Sequence, residues 1–336
     1  MTRELRAVGA GDIRRALAAA LDGSGPAVYA GEAPADLPAT VPRRVALVVG
    51  SSGSTGRPKR VALSADAILA SAAAADAALG GPGQWLLCLP PTYIAGLNVL
   101  ARSLAAGTTP IAMPAGRFTA EGFAAASALL DDPVRYVSLV PVQLARLLDS
   151  AAGTAALRGF RRVLLGGQAT PPGLRARAAE AGVAVTTSYG SSETSGGCVY
   201  DGVPLGPVRV RVEDGELLVA GPVLAEGYLG EPERSAAVFV TRGGARWYRT
   251  GDAGSVDADG RVLVAGRLDD VIVSGGVNVA LGAVEAAVRA LPGLGDAVVI
   301  GQADAEWGQV PVVVTSAAAE LAAVRAGVAE RLGRAA

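Results

Sequence analysis

Apolar positions in this chain fall into two alternating patterns: short unbroken runs, and longer segments in which Leu, Val or Ala return every three or four residues. The first pattern predicts buried strands and the second predicts helices that cover them. A helix is expected at 12–21, then a linker rich in Pro, Gly and Ala, then a buried strand at 45–49 that stops at Gly50 and opens into a polar loop. Ser64 is placed to cap an Ala-rich helix, and 85–89 reads as a second buried strand, closed by Pro90 and Pro91. The alternation continues with a strand at 135–139, a helix at 141–148, a strand at 162–165, a helix at 172–181 and a strand at 183–188. Such a rhythm predicts a mostly parallel sheet with covering helices and ligands at the carboxyl ends of the strands.

From about Arg209 the pattern changes to short strands at 208–212, 216–220 and 261–265, separated by Gly and Asp turns. This predicts an antiparallel or barrel-like region. The last segment carries a helix with Val284, Val288 and Leu291 on one face and strands at 297–300 and 310–315, enough for a small α+β domain. The expected fold class is therefore α/β. A large N-terminal domain, 1–266, would hold mostly parallel sheets with covering helices plus the barrel-like β region, and a small mobile C-terminal domain would occupy 267–336.

Composition narrows the function. Thirty basic and 31 acidic residues give a net charge of -1, so no long-range field draws the chain to nucleic acid or an anionic membrane. Glu4 and Asp12 interrupt the N-terminus, which is not expected to be a signal peptide. The most apolar uncharged stretch, 86–101, contains two prolines and falls short of the roughly 20 residues a membrane-spanning helix needs. Cys88 and Cys198 lie far apart with no metal-binding spacing, so a reducing, cytoplasmic compartment is expected. There is no histidine at all, which excludes Ser-His-Asp, Cys-His and histidine-metal chemistry. Catalysis must come from positioning, charge, carboxylates or lysine. The sequence leaves the oligomeric state open, a homodimer among the options.

The strongest chemical signal is the loop Ser51, Ser52, Gly53, Ser54, Thr55, Gly56, Arg57, Pro58 and Lys59. Hydroxyls and bare amides after a strand can surround phosphate oxygens, and Lys59 supplies a cation. The order differs from a Walker A loop, which disfavours a phosphoryl-transfer ATPase. A plain Ser/Gly surface turn is the bland alternative. Further on, Glu193 ends a Ser-rich turn, Asp252 follows a Gly, and a charged 266–270 segment precedes Ser274, Gly275 and Gly276. Each alone reads equally as a solvated turn or helix start.

Taken together, these strings resemble the adenylate-forming superfamily, which includes acyl-CoA synthetases, peptide-synthetase adenylation domains and luciferases. The loop 51–59 resembles its phosphate loop; 189–194 (YGSSET), 248–252 (YRTGD) and 266–270 (GRLDD) match in order. The resemblance implies ATP, Mg2+ and coenzyme A as cofactors and a small carboxylic acid as substrate. By the same resemblance Ser188, Tyr189 and Gly190 touch the nucleotide, Glu193 holds magnesium and Thr194 bonds the α-phosphate. Asp252 would accept both ribose hydroxyls, a fit for a group that only accepts hydrogen bonds. Arg267 would contact the nucleotide, and Asp269 would be the pivot of a rotating small domain. Gly275 and Gly276 would line the pantetheine tunnel, and Gly166, Gly167 and Gln168 would form the adenine-side wall, where missing side chains permit close approach.

Within the superfamily, 89–107 and 188–205 resemble the short actinobacterial o-succinylbenzoate-CoA ligases of menaquinone biosynthesis. That likeness assigns Arg102 to the distal carboxylate of a dianionic acid, where a charge-assisted contact would reject monoacids. A surface arginine on its helix is the plain alternative. Ser195, Gly196 and Gly197 would give a floor of small residues for an aromatic ring. Tyr93 stands where that group usually has histidine, as an aromatic gate or as simple core. Family members also carry a late lysine that reaches the α-phosphate, whereas no lysine follows Lys59 here. Two other functions stay open: an adenylating enzyme that serves a carrier protein, and a nucleotide or acyl-adenylate binder without catalysis.

Overall fold

The computed structural model describes residues 1–51 and 59–333, with the backbone alone described at Ser51. Ser52, Gly53, Ser54, Thr55 and Gly56, expected in the phosphate loop, lie outside the described residues. The chain divides into two compact units, the first comprising Met1–Thr170, Arg177–Arg209 and Val219–Tyr248, the second comprising Pro171–Ala176, Val210–Leu218 and everything from Arg249 onward.

The first unit is built on two sheets. The larger has seven strands in the order Val203–Pro204, Gly196–Tyr200, Val185–Ser191, Arg162–Leu165, Arg135–Leu139, Gln84–Leu87 and Ile111–Ala112. Neighbours from Val185–Ser191 through Ile111–Ala112 run parallel, as the alternation predicts. Helix Ala65–Leu79 begins at Ser64, whose hydroxyl accepts from the Ala67 amide at 3.2 Å, so the expected cap is in place. Helices Pro141–Leu148 and Pro172–Glu180 also fall where they are expected.

The second sheet of this unit corrects the reading of the N-terminal region. It has six strands, in the order Gly227–Tyr228, Lys59–Ser64, Val45–Ser51, Ala27–Ala30, Thr2–Val8 and Thr40–Pro42. The expected linker thus contains two strands, and a third precedes the first helix. Their apolar runs are only a few residues long and interleaved with Pro and Gly, too short to stand out as a period. Lys59–Ser64 returns antiparallel to Val45–Ser51, with Ser51 opposite Lys59. A strand starting Lys-Arg reads as loop in the sequence, but the Val61 and Leu63 side chains are fully buried and pull it into the sheet.

In the second unit a four-stranded antiparallel sheet, ordered Val277–Ala280, Val271–Ser274, Gly308–Val314 and Val298–Asp304, is covered by helices Leu281–Arg289 and Leu321–Leu332. Ile272, Val279 and Val299 from the sheet pack with Val284, Val288, Val324 and Val328 from the helices. Leu291 lies just beyond its helix but packs against the same core. Among the described residues, no helix is long and apolar enough to cross a membrane.

Candidate active site

Strand Val185–Ser191 pairs in parallel with Arg162–Leu165 through Thr187, then passes through a single short helical turn, Ser192–Thr194, into Gly196–Tyr200, which folds back antiparallel on it with a register shift between Tyr189 and Gly190. The turn stands at the carboxyl end of a parallel strand, the position where this architecture collects ligands. Several bonds fix it. Ser195, at φ 54°, donates its hydroxyl to the Val223 carbonyl at 2.8 Å, and its own carbonyl accepts from Ser71 at 3.1 Å and Asn98 at 3.0 Å. The Glu193 carbonyl accepts from the Ala225 amide at 2.8 Å.

Glu193 is the charge this turn presents. Its side chain is only 6% exposed; Oε1 accepts from the Tyr228 hydroxyl at 2.8 Å and lies 3.6 Å from Lys59 Nζ. Lys59 is the chain's only lysine. It reaches Glu193 because strand Gly227–Tyr228 pairs with Lys59–Ser64, Tyr228 opposite Val61, which puts Lys59 and Tyr228 on one face. The ammonium sits 5.4 Å from the Tyr228 ring centroid. Burial, then the neighbouring Glu193 charge, pushes the Tyr228 phenol well above its ordinary pKa, so it stays a donor. Lys59 and Glu193, which belong to separate motif strings, are thus brought into contact. Sequence reasoning missed Tyr228, which carries no signal beyond an aromatic in a short strand.

Other assignments change. Thr194 is 1% exposed; its hydroxyl donates to the Gly196 carbonyl at 2.7 Å and accepts from the Ser191 amide at 2.9 Å. A hydroxyl so committed braces the turn. Ser195 is fully buried, so it lies behind any substrate floor. Gly196 has φ 94°, and a Cβ there would meet the Asn98 amide nitrogen, so backbone conformation and packing both favour glycine. Gly197 packs against Ser188 in the same hairpin and keeps partial exposure. Gly166 follows strand Arg162–Leu165 and meets the backbone of Ser188, which joins two of the expected nucleotide segments; Gly167 and Gln168 are exposed beside it.

Tyr93 is 60% exposed at the start of helix Ile94–Ala105, so it is not core. Arg102, in the last turn of that helix, is 2% exposed, which rules out the surface-arginine reading. Its guanidinium lies 4.9 Å from the Trp85 ring centroid and donates to the Tyr200 hydroxyl at 3.1 Å, while Nε has no partner among the described residues. Nearby Asp76 also buries an unbonded oxygen, and burial raises its pKa even though Arg102 opposes the shift. Arg102 therefore keeps one buried nitrogen without a hydrogen-bond partner among the described residues.

In the second unit, the strand carrying 248–252 pairs antiparallel with Val262–Arg267, which sets Asp252 directly opposite Arg267. Arg267 bonds Asp252 Oδ1 at 3.1 Å, Asp269 Oδ1 at 2.9 Å and the Thr250 carbonyl at 2.9 Å. The Asp269 and Asp252 carboxylates hold its pKa above the ordinary value against the opposing effect of burial. Glu216, absent from the sequence reading, is buried and accepts from Arg249 at 2.6 Å and the Gly251 amide at 2.9 Å, which fixes the turn before Asp252. Gly275 and Gly276, with φ 55° and 82°, form a two-residue hairpin turn, and Trp307 packs where a Cβ of residue 275 would be.

Among the described residues no three acidic, Cys or His side chains gather to hold a metal by themselves. One buried carboxylate beside a cation fits magnesium nonetheless, since that ion keeps its waters and takes most of its remaining ligands from phosphates.

A family model described as AMP-binding enzyme matches residues 8–229, and the chain belongs to that family. It is 45% identical over 269 residues to a probable 2-succinylbenzoate--CoA ligase of Mycobacterium tuberculosis, covering 79% of this chain and 69% of that protein. It is 30% identical over 289 residues to the 2-succinylbenzoate--CoA ligase of Bacillus cytotoxicus, and there the match covers 79% of this chain and 58% of the relative's length. Among solved structures, the o-succinylbenzoate CoA synthetase of Bacillus subtilis in complex with the acyl-adenylate intermediate OSB-AMP superposes with a TM-score of 0.73 at 28% identity, covering 90% of this chain and 66% of that one. The amide bond synthetase McbA of Marinactinospora thermotolerans gives 0.76 at 27% identity, covering 98% and 74%.

Proposed function

We propose that this protein is an AMP-forming acid-CoA ligase that activates 2-succinylbenzoate with ATP and passes the acyl group to coenzyme A. The observation that carries the reading is the Lys59–Glu193 contact, 3.6 Å long and largely buried. A cation and a carboxylate held together away from water are a resting pair that a triphosphate can divide. Lys59 would turn to the phosphate oxygens and Glu193 to the magnesium ion that accompanies them. Magnesium, when bound, neutralises charge on the phosphates so that a carboxylate can approach phosphorus.

The substrate carboxylate attacks the α-phosphorus and pyrophosphate leaves; the coenzyme A thiol then attacks the acyl-adenylate and AMP leaves. Little protein-based proton transfer is needed, which suits a chain without histidine. Ser188, Tyr189, Gly190, Gly166, Gly167 and Gln168 would border the nucleotide, and Asp252, steadied by Glu216 and Arg267, would accept the ribose hydroxyls. Rotation of 267–336 about Asp269, with Gly275 and Gly276 toward the pantetheine arm, belongs to the same proposal. So does a cytoplasmic location.

The buried Arg102, with Nε unbonded among the described residues, supports a diacid. A buried cation without a full complement of partners is costly, and a second carboxylate on the substrate would complete it. Tyr93, exposed at the other end of the same helix, would border the acid's entry. A different acceptor is the second reading, favoured by the likeness to an amide bond synthetase over 98% of this chain. An acid panel tests both. Pyrophosphate release that depends on 2-succinylbenzoate, followed by AMP release that depends on coenzyme A, is expected; indifference to every aryl diacid would remove the substrate, and turnover without coenzyme A would favour the other acceptor.

A further inference from the structure

Tyr228 has more contacts to the candidate site than a core aromatic requires. It is 5% exposed, and its hydroxyl points at one oxygen of the buried Glu193, at 2.8 Å. The residue is immobilised from several sides. Its amide donates to Ser235 Oγ at 2.8 Å, its ring packs 6.0 Å from Phe239, and Lys59 and Arg234 stand 5.4 Å and 5.3 Å from the ring centroid. Arg234 is in turn held by Glu231 at 2.9 Å. On the other side, the Glu193 backbone is tied to Ala225. Donor and acceptor are therefore both fixed before any ligand arrives.

Among the described residues, every bond to the Glu193 carboxylate falls on Oε1, from Tyr228 and from Lys59. Nothing described bonds Oε2. We propose that Tyr228 is a positioning residue which, by occupying Oε1, assigns Oε2 of Glu193 to the divalent cation that accompanies the nucleotide. This rests on the ATP reading above. When Lys59 leaves for the phosphates, the Tyr228 bond remains and keeps the carboxylate from rotating, so the oxygen facing the cation does not change. Partners that orient a metal-binding carboxylate are worth ten- to a hundredfold in metal affinity.

The test is calorimetric titration of ATP into the full chain across a series of Mg2+ concentrations, for the parent protein, Tyr228→Phe, Glu193→Gln and the double variant. Tyr228→Phe keeps the ring and its cation contacts, and circular dichroism verifies its fold. The half-saturating Mg2+ concentration should rise about tenfold in Tyr228→Phe, with ATP affinity in EDTA unchanged. In the Glu193→Gln background the same change should have no further effect. Superimposable Mg2+ curves for parent and Tyr228→Phe would overturn the inference, as would an equal shift in the Glu193→Gln background. Should Glu193→Gln itself leave the Mg2+ dependence intact, the ATP reading fails with it; a loss in Glu193→Gln without one in Tyr228→Phe removes only the role of Tyr228.

Discussion

The two charged centres of this chain are built to opposite rules. At Glu193 the carboxylate is 6% exposed, its cation partner 22%, and an aromatic hydroxyl completes the set. At Arg267 the guanidinium is 41% exposed and shares two carboxylates, one of them 50% exposed. Removing one member of a buried pair leaves an uncompensated charge, whereas water and salt stand in for a missing partner at a half-exposed one. Function should therefore be sensitive to single atoms around Glu193 and tolerant around Asp269, even though the second centre displays more ion pairs.

The sharpest way to break that contrast is Glu193→Gln, which retains the Tyr228 hydrogen bond but not the charge. Pyrophosphate release should fall about 100-fold, and a loss of only twofold would mean that burial does not amplify this carboxylate. Arg102→Met, replacing a buried cation by a side chain of similar length, should raise the KM for 2-succinylbenzoate about 30-fold, the range of a lost charged hydrogen bond, and leave that for ATP alone. An unchanged acid KM would show that Arg102 serves packing with Trp85 and Tyr200 and nothing else. For Asp252→Asn, steady-state kinetics should give an ATP KM about tenfold higher, again one charged hydrogen bond's worth. The smallest effect is expected at Asp269→Asn, whose melting curve should differ from the parent by less than about 0.5 kcal/mol; a larger loss would make the exposed centre structural after all.

How much of this was legible in the sequence varies with the kind of contact. Strands such as Arg135–Leu139 and Arg162–Leu165 announce themselves because, after the leading arginine, nearly every side chain is apolar and all are buried. Lys59–Ser64 does not, since its polar start hides the buried Val61 and Leu63. For the site, the motif strings brought out Lys59, Glu193, Asp252 and Arg267, all of them charged. Their partners escaped notice. Tyr228 lies 35 positions from Glu193 and Glu216 lies 33 from Arg249, and only the tertiary fold brings each pair together. The internal role of Thr194 and Ser195 was hidden for the converse reason: hydroxyls beside a carboxylate suggest ligand contacts, and nothing in the string shows that so tight a turn uses them to satisfy nearby backbone groups.

ATP–pyrophosphate exchange driven by 2-succinylbenzoate, measured with Mg2+ on the parent chain and on Glu193→Gln, tests the central claim most directly. Exchange should require both the acid and Mg2+ and should collapse in the variant. Exchange of equal rate in the two proteins would contradict it, because the Lys59–Glu193 pair would then have no part in adenylate formation.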